Sequence, residues 1–256
     1  MDAVLLSTGF LVGAMVGLTG VGGGALMTPA LVLCGVPPAT AVGTDLVYAA
    51  VTKSAGAVLH HVKGNVCWPV VRLMAIGSLP AAVTAIWFLG WLQERGFDYS
   101  PFVTTVLGIA LLLTSVVIFL GPWLRRAEQP TRGVSGRWST AAAGALIGAL
   151  VAASSVGAGA LGAALLLVRH RSLPAIRVVG TDLAHALMLA VVAGIGHWQL
   201  GAVDVGIVWP LLTGSLPGVL VGARLAGSIP ESVLRPAMAV LLMLLGVGFS
   251  LGGVAN

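Results

Sequence analysis

Charge is scarce in this chain. Only 8% of its 256 residues are Asp, Glu, Lys or Arg and 58% are hydrophobic, whereas a soluble globular chain carries about 25% charged residues. A surface facing water throughout cannot be built from so few charges, which excludes an ordinary soluble enzyme. The charges are also segregated: none falls between Val4 and Thr44, and none between Trp138 and Val168. A bilayer core about 30 Å thick takes roughly 20 helical residues to cross, so uncharged runs of this length read as membrane-embedded. The predicted class is an all-α polytopic membrane protein.

Further absences narrow the function. Cys34 and Cys67 are the only cysteines, too few for a disulfide framework and wrongly spaced for a metal. The stretch GVGGGAL lacks the GK[ST] ending of a phosphate-binding loop, so no ATP-driven step is predicted. No nucleophile stands in a recognisable pairing with a base, so the chain is not predicted to be an enzyme, and no cofactor is implied. The N-terminal MDAVLLSTGF has no basic stretch before its apolar run and reads as part of the first embedded segment, not as a cleaved signal peptide. A net charge of +5 does not point to nucleic acid, because the basic residues sit in short loops and form no continuous face.

What the chain does have is an internal repeat. VGGGAL at 21–26 returns as VGAGAL at 156–161, an offset of 135; GTDL at 43–46 returns at 180–183 and GSLP at 77–80 returns at 214–217, both at offset 137. His60 and His197 share the second offset. A short insertion between the glycine motif and GTDL accounts for the change. The expected organisation is a first transmembrane repeat at 1–124, a cytoplasmic linker at 125–137 and a second transmembrane repeat at 138–256. Transporters are commonly built this way, with glycine- or proline-broken segments at corresponding positions marking the site.

Spanning helices are predicted at about 45–63, 72–92, 100–121, 181–200, 204–223 and 235–252. Two segments with central glycine clusters remain, at roughly 3–34 and 140–168, each either fully crossing or folded back as a re-entrant hairpin. If both cross, Lys63, Arg72, Arg125, Arg126, Arg132 and Arg137 oppose Arg95, Arg169, Arg171, Arg177, Arg224 and Arg235, which gives no orientation. If both are hairpins, eleven of these twelve share one side and Arg95 stands alone. The positive-inside rule therefore favours hairpins. The second repeat is then inverted, both termini face outward, and the hairpins meet near the midplane, where irregular backbone is tolerated beside protein or a polar cavity. An eight-helix bundle with glycine kinks is the alternative.

The candidate substrate-binding residues follow from this arrangement. Gly22, Gly23 and Gly24, with Gly157 and Gly159, let backbone approach a ligand closely. Each turn feeds a half-helix starting near Ala25 or Ala160, whose first amides and positive dipole end favour an anion. Ser154, Ser155 and Thr19 are positioned to add hydroxyl donors. Close helix packing is the competing use of such small residues. Lys53 lies mid-helix, where a lysine costs about 2.5 to 3.5 kcal/mol, and so requires a partner or a wet cavity. His60, seven residues on, shares its face. Lys53 faces the anion in one reading and pairs with Asp45 or Asp182 in the other. Asp45, Asp182, His185 and His197 are candidates for proton coupling, although the simplest account of the two aspartates is helix capping. Pro80 and Pro217 kink their helices and suit a cavity wall, a hinge or a fixed bend.

These motifs resemble the sulfite exporter TauE/SafE family of membrane permeases. The resemblance rests on GLTGVGGGALMTPAL at 17–31, AVGTDL at 41–46, HHVKGNV at 60–66, ASSVGAGALGAALLL at 153–167 and VGTDL at 179–183. It implies a multi-pass protein of a bacterial plasma (inner) membrane that moves small anions such as sulfite, sulfoacetate or other organosulfur anions. Departures are Ala158, which interrupts the second glycine run, the lack of a second proline matching Pro29, and the Asp after each GT, where a neutral residue is expected. The expected mechanism is secondary transport by alternating access, the halves rocking about the glycine site. An anion channel or a proton-coupled carrier for small carboxylates is the alternative. The partners expected are a small anionic substrate and membrane lipid; the sequence specifies no oligomeric state.

Overall fold

The computed structural model describes residues 2–19, 23–126, 137–170, 172–225 and 230–251. Most of the predicted linker, 127–136, lies outside the described residues. The first half contains α1 (Asp2–Thr19), α2 (Gly24–Leu33), α3 (Pro38–Val62), α4 (Trp68–Glu94) and α5 (Ser100–Arg126). The second contains α6 (Arg137–Ser154), α7 (Ala160–Arg169), α8 (Ala175–Gln199), α9 (Val205–Leu225) and α10 (Glu231–Ser250). Each glycine-centred segment is thus two helices broken at its glycine cluster. Among the described residues five helices are long and apolar enough to cross a membrane: Trp68–Glu94, Ser100–Gly121, Ala175–Gln199, Val205–Leu225 and Ser232–Ser250; α3, where a span was expected at 45–63, is not one of them.

α3 and α8 start earlier than expected, seven residues before Asp45 and Asp182 respectively, because Pro38 and Pro174 suit a helix entrance. The two aspartates therefore stand inside their helices, and the capping account is wrong for both. The threonines beside them do cap, but across the halves. Thr44 Oγ1 accepts the Asp204 amide at 3.1 Å, just before α9, and Thr181 Oγ1 accepts the Cys67 amide at 2.9 Å, just before α4.

The helices pair by repeat. α1 packs along α9 and its counterpart α6 packs along α4, while α3 packs on α8 and α5 on α10. The first two pairs run parallel, joined at backbone contact distance. A methyl group on Gly9 or Gly13 would collide with the backbone of Leu211 or Ser215, and one on the counterparts Gly144 and Gly148 would strike Met74 and Ser78. Small residues of this kind let membrane helices approach until main-chain dispersion contacts accumulate. The pairs of equivalent helices run antiparallel. Gly43 meets Ala202 while Gly180 meets Asn65, and Ser115 Oγ donates to Ala239 O at 2.7 Å where Gly108 meets Ser250.

Large apolar side chains on the outer faces stay exposed, including Trp87 on α4, Phe119 on α5 and Leu216 on α9, which suits a surface solvated by lipid. Pro80 and Pro217 also point outward, so neither lines an internal cavity. The buried polar residues concentrate inside: Asp45, Lys53, Ser78, Asp182, His185, His197 and Ser215 are each under 9% exposed.

Candidate functional site

The two broken segments touch. Gly24, at the start of α2, lies so close to Ser155 that a side chain there would strike the Ser155 carbonyl. Gly23 precedes α2 with an ordinary right-handed φ of −55°, and its carbonyl accepts the Leu26 and Met27 amides. Gly22 lies outside the described residues. In the second turn Gly157 and Gly159 have φ of +113° and +132°, a region closed to most side chains, and Ser155 has φ of +59°.

Lys53 reaches into this second turn. Its Nζ donates to the Ala158 carbonyl at 3.2 Å, and the side chain is 8% exposed. Asp45, about two turns earlier on α3, and Asp182 on α8 both act electrostatically on the ammonium. The cation bonds to the glycine turn itself, and the two carboxylates act on it through their charge. Such an arrangement offsets the cost of burying a lysine, because charge that leaves water must meet opposite charge or hydrogen-bond partners.

The carboxylates are held differently. Thr28 of α2 donates its hydroxyl to Asp45 Oδ2, and Ser155 lies beside the same carboxylate. Asp182 packs against Gly162 in the first turn of α7, where even a methyl group would overlap its Oδ1. Among the described residues, no geometric hydrogen bond reaches Asp45 Oδ1, Ser155 Oγ or Asp182 Oδ1.

Two further side-chain pairs cross the halves at equivalent places. Ser78 Oγ and His185 Nε2 are 2.7 Å apart, and Ser215 meets the Tyr48 hydroxyl. His185 and Tyr48 occupy matching repeat positions, as do the two serines of GSLP. Thr28, Tyr48, Ser78 and Ser215 were not singled out in the sequence. The duplicated GSLP motif carried the signal for the serines, but the proline drew the attention.

Other predicted residues lie apart from this cluster or are already engaged. His60 stands at the far end of α3, its Nδ1 beside Gly180 at the start of α8. Seven residues keep it on the lysine's face but move it about 10 Å along the axis. His197 Nε2 donates to the Ala152 carbonyl at 2.8 Å, fixing the ring within the wall. Ser154 donates to Leu150 O at 2.6 Å and accepts the Val156 amide, so its hydroxyl serves its own turn. Thr19 donates to Met15 O at 2.7 Å. A groove of about 610 Å³ lined by Ile86, Trp87, Trp91, Ile195 and Gln199 lies on the outer flank of α4 and α8, away from the glycine-centred breaks.

Buried charges held between broken helices inside an apolar, lipid-facing bundle define the class: a multi-pass membrane transporter. The model of the family described as "Sulfite exporter TauE/SafE" matches residues 5–249. The chain is 36% identical over 252 residues to the "Probable membrane transporter protein YjnA" of Bacillus subtilis, covering 96% of this chain and 99% of that one. It is 28% identical to the "Probable membrane transporter protein YdhB" of the same organism, over 92% and 97% of the two chains. It is also 28% identical over 190 residues to the "Probable inner membrane transporter protein TsaS" of Comamonas testosteroni, covering 73% of each. No solved structure matches. The chain belongs to the sulfite exporter TauE/SafE family: it is a secondary transporter for small anions in a bacterial inner membrane, and not an enzyme.

Proposed function

We infer that the transporter carries sulfite and small sulfonates such as sulfoacetate by alternating access, about one central site built from Gly23, Gly24, Lys53, Ser155, Gly157 and Gly159. The observation that carries this reading is Lys53, whose ammonium contacts the Ala158 carbonyl in the second glycine turn while facing Asp45 and Asp182. A buried cation beside an irregular backbone turn and the starts of two half-helices is suited to an oxyanion. Ser155, whose hydroxyl lies beside the Asp45 carboxylate, adds a donor.

In this reading each half is a re-entrant hairpin followed by three crossings, and the second half is inverted relative to the first. The antiparallel packing of α3 on α8 and of α5 on α10 supports inversion. The contact of Thr8 Oγ1 with Cys34 Sγ at 3.6 Å supports a hairpin, since it joins the outer half of α1 to the residue that ends α2. The arrangement puts Lys63, Arg72, Arg169, Arg177, Arg224 and Arg235 on the cytoplasmic side with the linker. Arg95 lies opposite, over the Trp91 ring at 4.2 Å. Because α1 is locked to α9 and α6 to α4, the rocking units are these cross-paired bundles and not the two sequence halves.

Two experiments test the reading. Exposed Cys34 is expected to react with an impermeant maleimide from the periplasmic face, and a cysteine substituted at Ser172 only from the cytoplasmic face; labelling of both from one face overturns the hairpins. Flux into proteoliposomes is measured for sulfite, sulfate, sulfoacetate and small carboxylates, with and without voltage and pH gradients. Movement of sulfite or sulfoacetate is expected. If neither moves in any condition, the substrate assignment fails.

A further inference from the structure

We propose that the site carries one proton with each anion: Asp182 takes up that proton as the anion takes its place beside Lys53. The inference rests on the anion-carrier reading above and adds its coupling. Lys53 faces two carboxylates, so with all three groups ionised the centre bears a net negative charge. A second anion entering there meets one ammonium and two carboxylates in a region nearly closed to water, where like charges repel strongly. One carboxylate has to give way.

Geometry selects Asp182. Asp45 is anchored by the Thr28 hydroxyl, whereas the repeat counterpart of Thr28 is Ala163, which has no hydroxyl to offer. Among the described residues Asp182 Oδ1 has no hydrogen-bond partner, and it lies against Gly162 in the first turn of α7. That is the positive end of the half-helix where an anion is expected. Asp182 already stands at this end as an intramolecular anion, one helical turn from the Ala158 carbonyl that Lys53 holds.

The charged and titratable groups around it are few. α3 contributes Lys53 and, beyond it, Asp45. α8 contributes His185, which Ser78 of α4 holds, and α7 contributes Gly162. The exchange balances: the Asp182 carboxylate gains a proton from the aqueous side, the anion accepts hydrogen bonds from Lys53 Nζ and Ser155 Oγ, and no covalent bond to the anion forms or breaks. At the opposite face the anion leaves, Asp182 releases its proton and its negative charge acts on Lys53 again. A monovalent anion then crosses without net charge, and voltage does not drive it.

The full chain in proteoliposomes tests this, with methanesulfonate, bisulfite and sulfoacetate as probes, an entrapped pH indicator and the potential clamped. Each anion that moves is expected to bring one proton beyond its own. A tenfold inward proton gradient should accumulate methanesulfonate about tenfold, and stepping the voltage should leave the monovalent fluxes unchanged. Any flux retained by Asp182→Asn should lose its proton and become voltage-dependent. Wild-type flux that follows voltage and moves no proton overturns the proposal, and this readout decides it even where Asp182→Asn fails to fold. Absence of all anion flux in the wild type defeats the transport reading itself, which is a different result.

Discussion

The two halves share a frame and differ in chemistry. Gly9, Gly13 and Gly77 in the first half have glycine counterparts at 144, 148 and 214, and each sits against neighbouring backbone. Thr44 and Thr181 cap equivalent helices in the opposite half. At the centre the match ends. Lys53 corresponds to Ala190, Tyr48 to His185 and Thr28 to Ala163. Duplication preserved the contacts that close the bundle, while the groups facing the buried centre diverged until one cation served both halves.

The strongest way to break this comparison is to remove the unshared residue. Lys53→Met strands Asp45 and Asp182 without their cation, and removing one partner of a buried charge cluster costs about 3 to 5 kcal/mol. Anion flux is expected to disappear and the melting temperature of the detergent-solubilised protein to fall. Flux at the wild-type rate would refute the central site.

Sharpening the shared frame calls for matched substitutions. Gly13→Leu and its counterpart Gly148→Leu each push a side chain into opposing backbone, and overpacking costs roughly 1 to 3 kcal/mol, at times more. Similar thermal destabilisation is expected for the two. A severe loss for one and none for the other would mean that the α1/α9 and α4/α6 seams are not equivalent.

Smaller effects are expected from exchanging the threonine between halves. Thr28→Val leaves the Asp45 carboxylate without its hydroxyl donor, at a cost of about 1 to 3 kcal/mol for an unsatisfied buried group. Ala163→Thr brings a hydroxyl toward Asp182 and is expected to raise thermal stability slightly while slowing flux, because the carboxylate is better held. An Ala163→Thr protein that transports faster would contradict the assignment of Asp182 as the group that yields.

Much of the frame was legible in the sequence. Uncharged runs gave the embedded segments, the offsets of VGGGAL, GTDL and GSLP gave the repeat, and the glycine clusters fell at the helix breaks. The cost of burying Lys53 pointed to a partner or a wet cavity, and its Nζ meets the Ala158 carbonyl. What stayed hidden depends on contacts between halves, which no local period reports. Thr28 meeting Asp45, Ser78 meeting His185 and Ser215 meeting Tyr48 each join helices distant in the chain. Asp45 and Asp182 were misread as caps because the first charge was taken for a helix end, when the prolines at 37, 38 and 174 mark the entrances. His60 was grouped with Lys53 because a shared helical face says nothing about depth.

The pairing of α1 with α9 also has a consequence for how the protein is made. α1 leaves the ribosome first, yet the helix against which its glycines close begins at Val205. At about 5 to 20 residues per second, translation reaches α9 roughly 10 to 40 s later. Through that interval α1 sits in the membrane with its glycine face turned to lipid or to the insertion machinery. The first half therefore cannot mature as an independent unit during synthesis, and chains interrupted before α9 should be substrates for membrane proteolysis.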